Sequence, residues 1–348
     1  MSDVKMTPTT EDALTAQPRV AVLSLGGTIA MVSKPGEGGL RPSLSAADLV
    51  AAVPQLANVA DVVAEPVVGL PGASLTFDHI GQVARAAERA VDAGAAGVVV
   101  TQGTDTIEET AYLLDLWWSR PQPLVVTGAM RGASEAGADG PANVLAAVTA
   151  ARDQTMAGVG VTVVMAGEIH AARHVRKTHS SRPGAFTSPN LGPVGHIREG
   201  RAQLTATLER HRALPSPTTA PPTAAPRIAV VESVLCDDGD LLRLIEGAGY
   251  DGVVLAAFGV GHVSDAVAAH VGRLAALMVV VFASRTGAGS TFERTYGFSG
   301  SESDLIARGA QPAGFLDHRK ARLLLWALLA SGAGRDDITR EFSARGKG

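Results

Sequence analysis

The chain has 348 residues, 46% hydrophobic and 18% charged, with a formal net charge of −4, so it can bury a large core and is expected to form two domains. Acids and bases are interspersed and no basic block accompanies aromatic residues, which argues against a nucleic-acid partner and for a small molecule. Cys236 is the single cysteine, which excludes an intrachain disulfide and a cysteine-based zinc site and fits a reducing cytoplasm.

Met1 to Pro18, with its Thr-Pro-Thr-Thr cluster, reads as a loose tail carrying neither the basic start nor the apolar core of a secretion signal. The most apolar later run, Leu274 to Ala283, is about half the length of a membrane span, so the expectation is a cytoplasmic protein with no membrane partner.

Val20 to Ala30 follows the tail: branched apolar residues end in Gly26-Gly27-Thr28, a buried parallel strand opening into a tight turn. The carboxyl edge of an open α/β sheet is where ligands bind, and paired glycines let backbone amides approach one. The competing reading of Thr28 is a turn threonine bonding its own backbone. Met31 to Pro42, rich in Gly, Pro and Lys, has the composition of a loop, and is the lid over Thr28 if that residue is functional.

Ser45 caps a helix that Pro54 interrupts or ends; Val62 to Leu70 is strand-like, Pro71 to Thr76 a loop, and Phe77 to Ala93 a helix burying Ile80, Val83, Ala87 and Val91. Gly97 to Val100 is a buried strand. It is closed by Thr101-Gln-Gly-Thr-Asp-Thr, which puts Thr104 and Asp105 at a helix amino terminus, where an ordinary cap is the plain alternative.

Leu124 to Thr127 and Val159 to Ala166 are further strands, with an alanine-rich helix between them ending at Arg152. One strand per crossover argues for an α/β fold with a parallel sheet covered on both faces.

Glu168 to Phe186 is dense in His, Arg and Lys. His170 and His174 have a spacing that puts two imidazoles on one helical face, but no acidic or cysteine ligand helps them and basic neighbours repel a cation. A solvated basic loop, or one basic residue reaching into a site, is the reading preferred over a metal.

Ala213 to Pro226 is a proline-rich linker, dividing the chain into a tail (1–18), a larger amino-terminal domain (19–212), the linker (213–226) and a smaller domain (227–348). Beyond it come strands Ile228 to Glu232, Gly252 to Ala257 and Val279 to Ala283, helices around Leu241 to Ala248 and after His262, and a last helix over Asp317 to Leu329. Gly259-Val-Gly-His-Val-Ser264 is half of a dinucleotide fingerprint and is discounted because its third small position is Ser and it lies late in a short domain.

Three strand ends thus offer Thr28, Thr104 with Asp105, and Gly128-Ala129, and a parallel sheet brings such ends to one edge. A hydroxyl nucleophile needs a proton acceptor and an oxyanion cradle; amides at Gly27-Thr28 and Gly103-Thr104 suit the second need, and a desolvated lysine the first.

Leu25-Gly-Gly-Thr-Ile-Ala30, Thr101-Gln-Gly-Thr-Asp-Thr-Ile-Glu-Glu-Thr-Ala111 and Val126-Thr-Gly-Ala-Met-Arg131 resemble the bacterial L-asparaginase family, and the similarity continues through Ala138 to Asn143, Ser188 to Gly195 and Lys320 to Leu325. The resemblance implies a larger domain with a mainly parallel sheet plus a smaller α/β domain, assembled as a dimer of dimers with sites near subunit interfaces and no cofactor or metal. It implies Thr28 as nucleophile, Thr104 bonded to Lys177, Asp105 on the substrate's α-ammonium, and Ser74, or equally Gly72, on its α-carboxylate, with Gly103 and Ala129 lining the substrate.

Asparagine hydrolysis is the first expectation; glutamine or another small amide is the alternative, and an amino-acid-binding regulator is disfavoured by the intact Thr28, Thr104 and Lys177. Two departures from the family pattern stand out. The lid has no tyrosine, leaving Ser33, or Tyr296 in preference to Tyr112 and Tyr250, or the Thr104 and Lys177 side alone, to activate Thr28. The acid supplied from a neighbouring subunit falls on Glu293 or Glu302, and the family's asparagine turn reads Gly261-His262-Val263-Ser264.

Overall fold

A computed structural model describes residues 17–26, 31–33, 40–42, 48, 51–216 and 225–347. Thr28, most of the lid, most of the helix expected from Ser45 and the middle of the proline-rich stretch lie outside them. The amino-terminal domain is built on one sheet. Its strands are β1 (Arg19–Ser24), β4 (Asp61–Pro66), β5 (Gly97–Thr101), β6 (Leu124–Thr127), β7 (Val161–Met165), β8 (Glu168–Ala171), β11 (Gly195–Arg198) and β12 (Arg201–Leu204). The short pairs β2 (Met31–Ser33) with β3 (Leu40–Pro42), and β9 (Arg176–Lys177) with β10 (Phe186–Thr187), stand beside it.

The spatial order is β12-β11-β8-β7-β6-β5-β1-β4. From β4 to β7 all neighbours are parallel; β8, β11 and β12 are added antiparallel. The central parallel strands β5, β6 and β7 are runs such as Gly-Val-Val-Val-Thr, buried at every position because helices cover both faces, whereas the edge strand β4 is largely exposed. Helices α1 (Phe77–Asp92) and α2 (Ile107–Trp117) lie on one face and α3 (Gly140–Arg152) on the other, each burying its apolar side in one of two clusters.

The smaller domain carries a parallel sheet, β13 (Ile228–Glu232), β14 (Gly252–Ala257), β15 (Val279–Ser284) and β16 (Gln311–Pro312), with helices α4 (Asp240–Gly247), α5 (Asp265–Leu277), α6 (Glu302–Ala307), α7 (His318–Ala330) and α8 (Arg335–Arg345). Helix α7 joins the domains: Leu324, Leu325 and Leu328 share one apolar cluster with α2 and with β14 and β15. Trp326 stacks on Phe77 with centroids 3.9 Å apart and meets Trp117 edge-on at 6.2 Å. Burial of each such side chain stabilises the junction by about 1.5–3 kcal/mol.

The stretch expected to be a basic loop is different. Glu168–Ala171 is a strand, so the spacing of His170 and His174 does not put them on a helical face. His170 is buried between Ser188 (3.0 Å) and Glu168 (3.2 Å), whereas the ring of His174 accepts a bond from Arg173 Nε at 2.9 Å.

Candidate active site

The register places Ser24, Thr101 and Thr127 side by side at the carboxyl ends of β1, β5 and β6. Leu25 N–H extends the pairing to Thr101 O at 2.9 Å, and Gly26, at φ +93°, turns the chain out of the sheet. Strand order reverses at β1, since β4 lies on one side and β5 on the other, so this edge is a topological switch point. Thr28 follows Gly26 by two residues and is outside the described residues.

After β5 the chain makes a tight turn over Thr104–Thr106 and enters α2. Thr104 is buried, at 6% exposure, while the Asp105 side chain is 65% exposed. Gly72 approaches this turn so closely that a Cβ on it would lie 2.9 Å from Gly103 O, and Thr106 Oγ1 donates to Gly72 O at 3.0 Å. Those contacts pin the Gly72–Ser74 turn beside the Thr104 turn. Ser74 is exposed there, whereas Gly72 is buried.

Ala129 is buried within the apolar cluster beneath α3, so what it can offer a ligand is main chain. Gly103 is buried as well. The Asn143 amide donates to Gly128 O at 3.0 Å and Asp139 accepts from the N–H groups of Met130 and Arg131, which fixes this turn.

Lys177 reaches the same place from 73 residues further on. Strand β9 pairs with β10 and delivers Lys177 Nζ to 2.9 Å from Thr104 Oγ1 and 3.0 Å from Asp105 Oδ1. Its main-chain N–H donates to Glu108 Oε2 at 2.6 Å. The structure thus brings together Thr104, Asp105, Lys177 and the Gly72–Ser74 turn.

Glu108 was not singled out by sequence reasoning, because an acid in the first turn of a helix reads as a dipole partner. Its position one helical turn after Asp105 was the available signal. An ammonium bonded to a hydroxyl and a carboxylate can pass protons to and from that hydroxyl, and the exposed carboxylate beside it can hold a cationic group of a ligand.

Tyr112 is buried in α2, where burial pushes its phenol above the usual range, so it is core. Tyr250 packs under the Arg227 guanidinium. Tyr296 is exposed, edge-on to His262 at 4.8 Å. Of the two second-domain acids, Glu293 is exposed and Glu302 is fully buried, accepting from the N–H groups of Thr295 and Tyr296 at 2.7 Å each and facing His262 Nε2 at 3.1 Å. Burial alone would raise the Glu302 pKa; these bonds outweigh it and hold the carboxyl below its ordinary value.

Residues 19–210 match the N-terminal asparaginase domain family and residues 227–342 the glutaminase/asparaginase C-terminal domain family. The chain belongs to the asparaginase family. A probable L-asparaginase of Deinococcus radiodurans is 38% identical over 330 residues, 94% of this chain and 97% of that protein. A probable periplasmic L-asparaginase of Haemophilus influenzae is 34% identical over 315 residues, covering 88% of this chain and 87% of its own. Among solved structures, a probable cytoplasmic L-asparaginase from Campylobacter jejuni superposes with a TM-score of 0.83 at 29% identity, over 94% of this chain and 99% of that one. No described helix of this asparaginase-family chain is long and apolar enough to cross a membrane.

Proposed function

We propose that this chain is an amidohydrolase that converts L-asparagine and water to L-aspartate and ammonia through a threonine ester. The observation that carries the reading is Lys177 Nζ held between Thr104 Oγ1 and Asp105 Oδ1 at the carboxyl edge where the chain leaves β1 at Gly26, two residues before Thr28 in the sequence. Thr28 Oγ attacks the side-chain amide carbon and gives up its proton. The C–N bond breaks, the nitrogen leaves as ammonia with that proton, and an ester to Thr28 remains. Water then attacks the ester carbon, the C–O bond to Thr28 breaks, and the threonine hydroxyl is regenerated.

Thr104 and Lys177 relay the proton in these steps, a role suited to an ammonium bonded to a buried hydroxyl. Asp105 holds the substrate's α-ammonium and Ser74, or main chain at Gly72, its α-carboxylate. Gly103 and Ala129 contribute backbone to the wall. With no tyrosine in the lid, Ser33 or Tyr296 is left to assist Thr28 if the Thr104 side does not act alone.

The domain division at 213–226 and a dimer of dimers belong to the same proposal. Exposed Phe292, Tyr296 and Phe298, on the second-domain segment that carries Glu293, support an intersubunit site; light scattering that finds a monomer under assay conditions would remove it. A cytoplasmic location is supported by the exposed free thiol of Cys236 and by the Campylobacter jejuni likeness.

The test of function is ammonia release from L-asparagine, L-glutamine and their D-isomers. Release fastest from L-asparagine, and lost in Thr28→Ala, is the expected result. Faster release from glutamine would make the chain a glutaminase, and binding without release an amino-acid sensor.

A further inference from the structure

We propose that Glu108, held by Arg319 of the smaller domain, is a positioning residue for Lys177, so that helix α7 sets the geometry of the site in its own chain. This rests on the reading of Lys177 given above and adds what holds it.

Lys177 is fixed at two points. Its ammonium is on Thr104 and Asp105, and its main-chain N–H is on Glu108 Oε2 at 2.6 Å. Both sets of partners lie on one rigid unit, the Thr104–Thr106 turn and the first turn of α2. The Glu108 side chain is 7% exposed, and its other oxygen faces the Arg319 guanidinium at 3.3 Å. A buried carboxylate with a cation on one oxygen and an amide on the other has little rotational freedom.

The neighbouring residues of α7 grip the chain leading to Lys177. Lys320 is 2% exposed and sends Nζ to the carbonyls of Arg173 at 3.1 Å and Val175 at 2.5 Å. Asp317 caps α7, accepting from the N–H groups of Arg319 and Lys320, and lies 3.7 Å from Arg176 Nε. Residues 173, 175, 176 and 177 are therefore held by Asp317, Lys320 and the Arg319–Glu108 pair. An ammonium is costly to bury unless its donors are satisfied. Lys320 spends its donors on the segment that carries Lys177, although the two lysines share no hydrogen-bond partner.

The roles are separable from substrate binding, because the Glu108 carboxylate is engaged by the Lys177 main chain and by Arg319, whereas the Asp105 carboxylate is engaged by the Lys177 ammonium. Glu108→Gln keeps an acceptor for the Lys177 amide and loses the charge that holds Arg319; Arg319→Met removes the cation and keeps the length; Arg319→Lys restores the charge. With L-asparagine, kcat is expected to fall about tenfold in Glu108→Gln and about three- to tenfold in Arg319→Met, with KM within about twofold. The double variant should be no slower than Glu108→Gln, and Arg319→Lys should recover most of the rate.

A second readout needs no turnover. In the amide proton–nitrogen spectrum of the deuterated protein, the Lys177 proton is expected downfield in the wild type and to move upfield in Glu108→Gln and Arg319→Met. An unmoved Lys177 resonance in both overturns the proposal whether or not the protein hydrolyses asparagine. So do rates within twofold of wild type in both while Lys177→Met is inactive, multiplicative losses in the double variant, or a rise in KM at unchanged kcat. If instead the wild type releases no ammonia, the proposed function fails, and if Lys177→Met retains full rate, the relay role of Lys177 fails; in either case the spectrum alone decides whether Glu108 positions Lys177.

Discussion

Replacing Lys177 by methionine keeps the length and apolar stem of the side chain and deletes one ammonium, so its consequences can be worked from two contacts and the burial of the side chain. Nζ bonds Thr104 Oγ1 at 2.9 Å and Asp105 Oδ1 at 3.0 Å, and the side chain is 17% exposed. The Thr104 hydroxyl loses a charged donor in a buried turn, which costs about 1–3 kcal/mol. The Asp105 carboxylate is 65% exposed and turns to water, so that pair adds little. At about 1–2 °C per kcal/mol for a chain of this size, the melting midpoint should fall by only a few degrees. The rate is another matter. A positioned proton-transfer group contributes about 10²–10⁴-fold, or about 3–5 kcal/mol of barrier. Steady-state ammonia release from L-asparagine should drop by that factor, while calorimetric titration still detects substrate and mass spectrometry after rapid quenching shows no accumulated ester on Thr28. A Lys177→Met protein with kcat within about threefold of wild type would refute the proton-relay assignment, because no other described ammonium contacts Thr104.

Asp105→Ala should lower kcat/KM for L-asparagine by about 10–100-fold, the worth of one charge-assisted bond, and narrow the preference for amides bearing an α-ammonium; an unchanged specificity constant would remove that role. Exhaustive treatment with a chelator should leave ammonia release unchanged, and a loss reversed by a divalent cation would show that the threonine mechanism is incomplete. Burial, then the neighbouring Arg173 and Lys320 charges, lowers the pKa of His174 to about 4 from 6.5. The unfolded chain therefore binds the extra proton in that interval, so this stability is complete above pH 6.5 and is lost as pH falls toward 4. The shift caps the effect at about 3 kcal/mol and the partial exposure of the ring brings it to about 1–2 kcal/mol. Denaturant unfolding of wild type and His174→Asn across pH 4–7 should differ by that slope, and parallel curves would refute it.

The parts of the fold that could be read in advance are those where local sequence and tertiary environment demand the same residues. Strands Leu124–Thr127, Ile228–Glu232 and Gly252–Ala257 have the expected bounds, and the first and third are buried at every position, where packing on both faces demands apolar residues. Helix Phe77–Asp92 was legible from its stripe of Ile80, Val83, Ala87 and Val91, all of which are buried. Strands β8, β11 and β12 were not, since Glu-Ile-His-Ala, Gly-His-Ile-Arg and Arg-Ala-Gln-Leu are short and polar and owe their conformation to the ladder they extend. Helix α8 was missed for a related reason. It buries only Ile338, Phe342 and Arg345, a stripe too thin to stand out among charged neighbours.

The candidate site divides along the same line. Thr104 and Asp105 were visible because a strand must end in a turn there, and a turn at a switch point advertises itself through glycines and hydroxyl residues. Lys177 was reached only through family resemblance, since residue by residue it was one cation in a basic stretch, and what selects it is a two-residue strand pairing with Phe186–Thr187. Glu108 had only its place one helical turn after Asp105, and Lys320 had no local signature. One resembles a helix cap and the other a surface lysine, yet Lys320 closes on carbonyls 145 and 147 residues away. Such contacts become informative only when domain packing removes water from them, because burial is what turns an ordinary charge into a constraint on its neighbours. A site made by the edge of one sheet is therefore legible as a set of turns, whereas the groups that aim it are legible only after the second domain has docked.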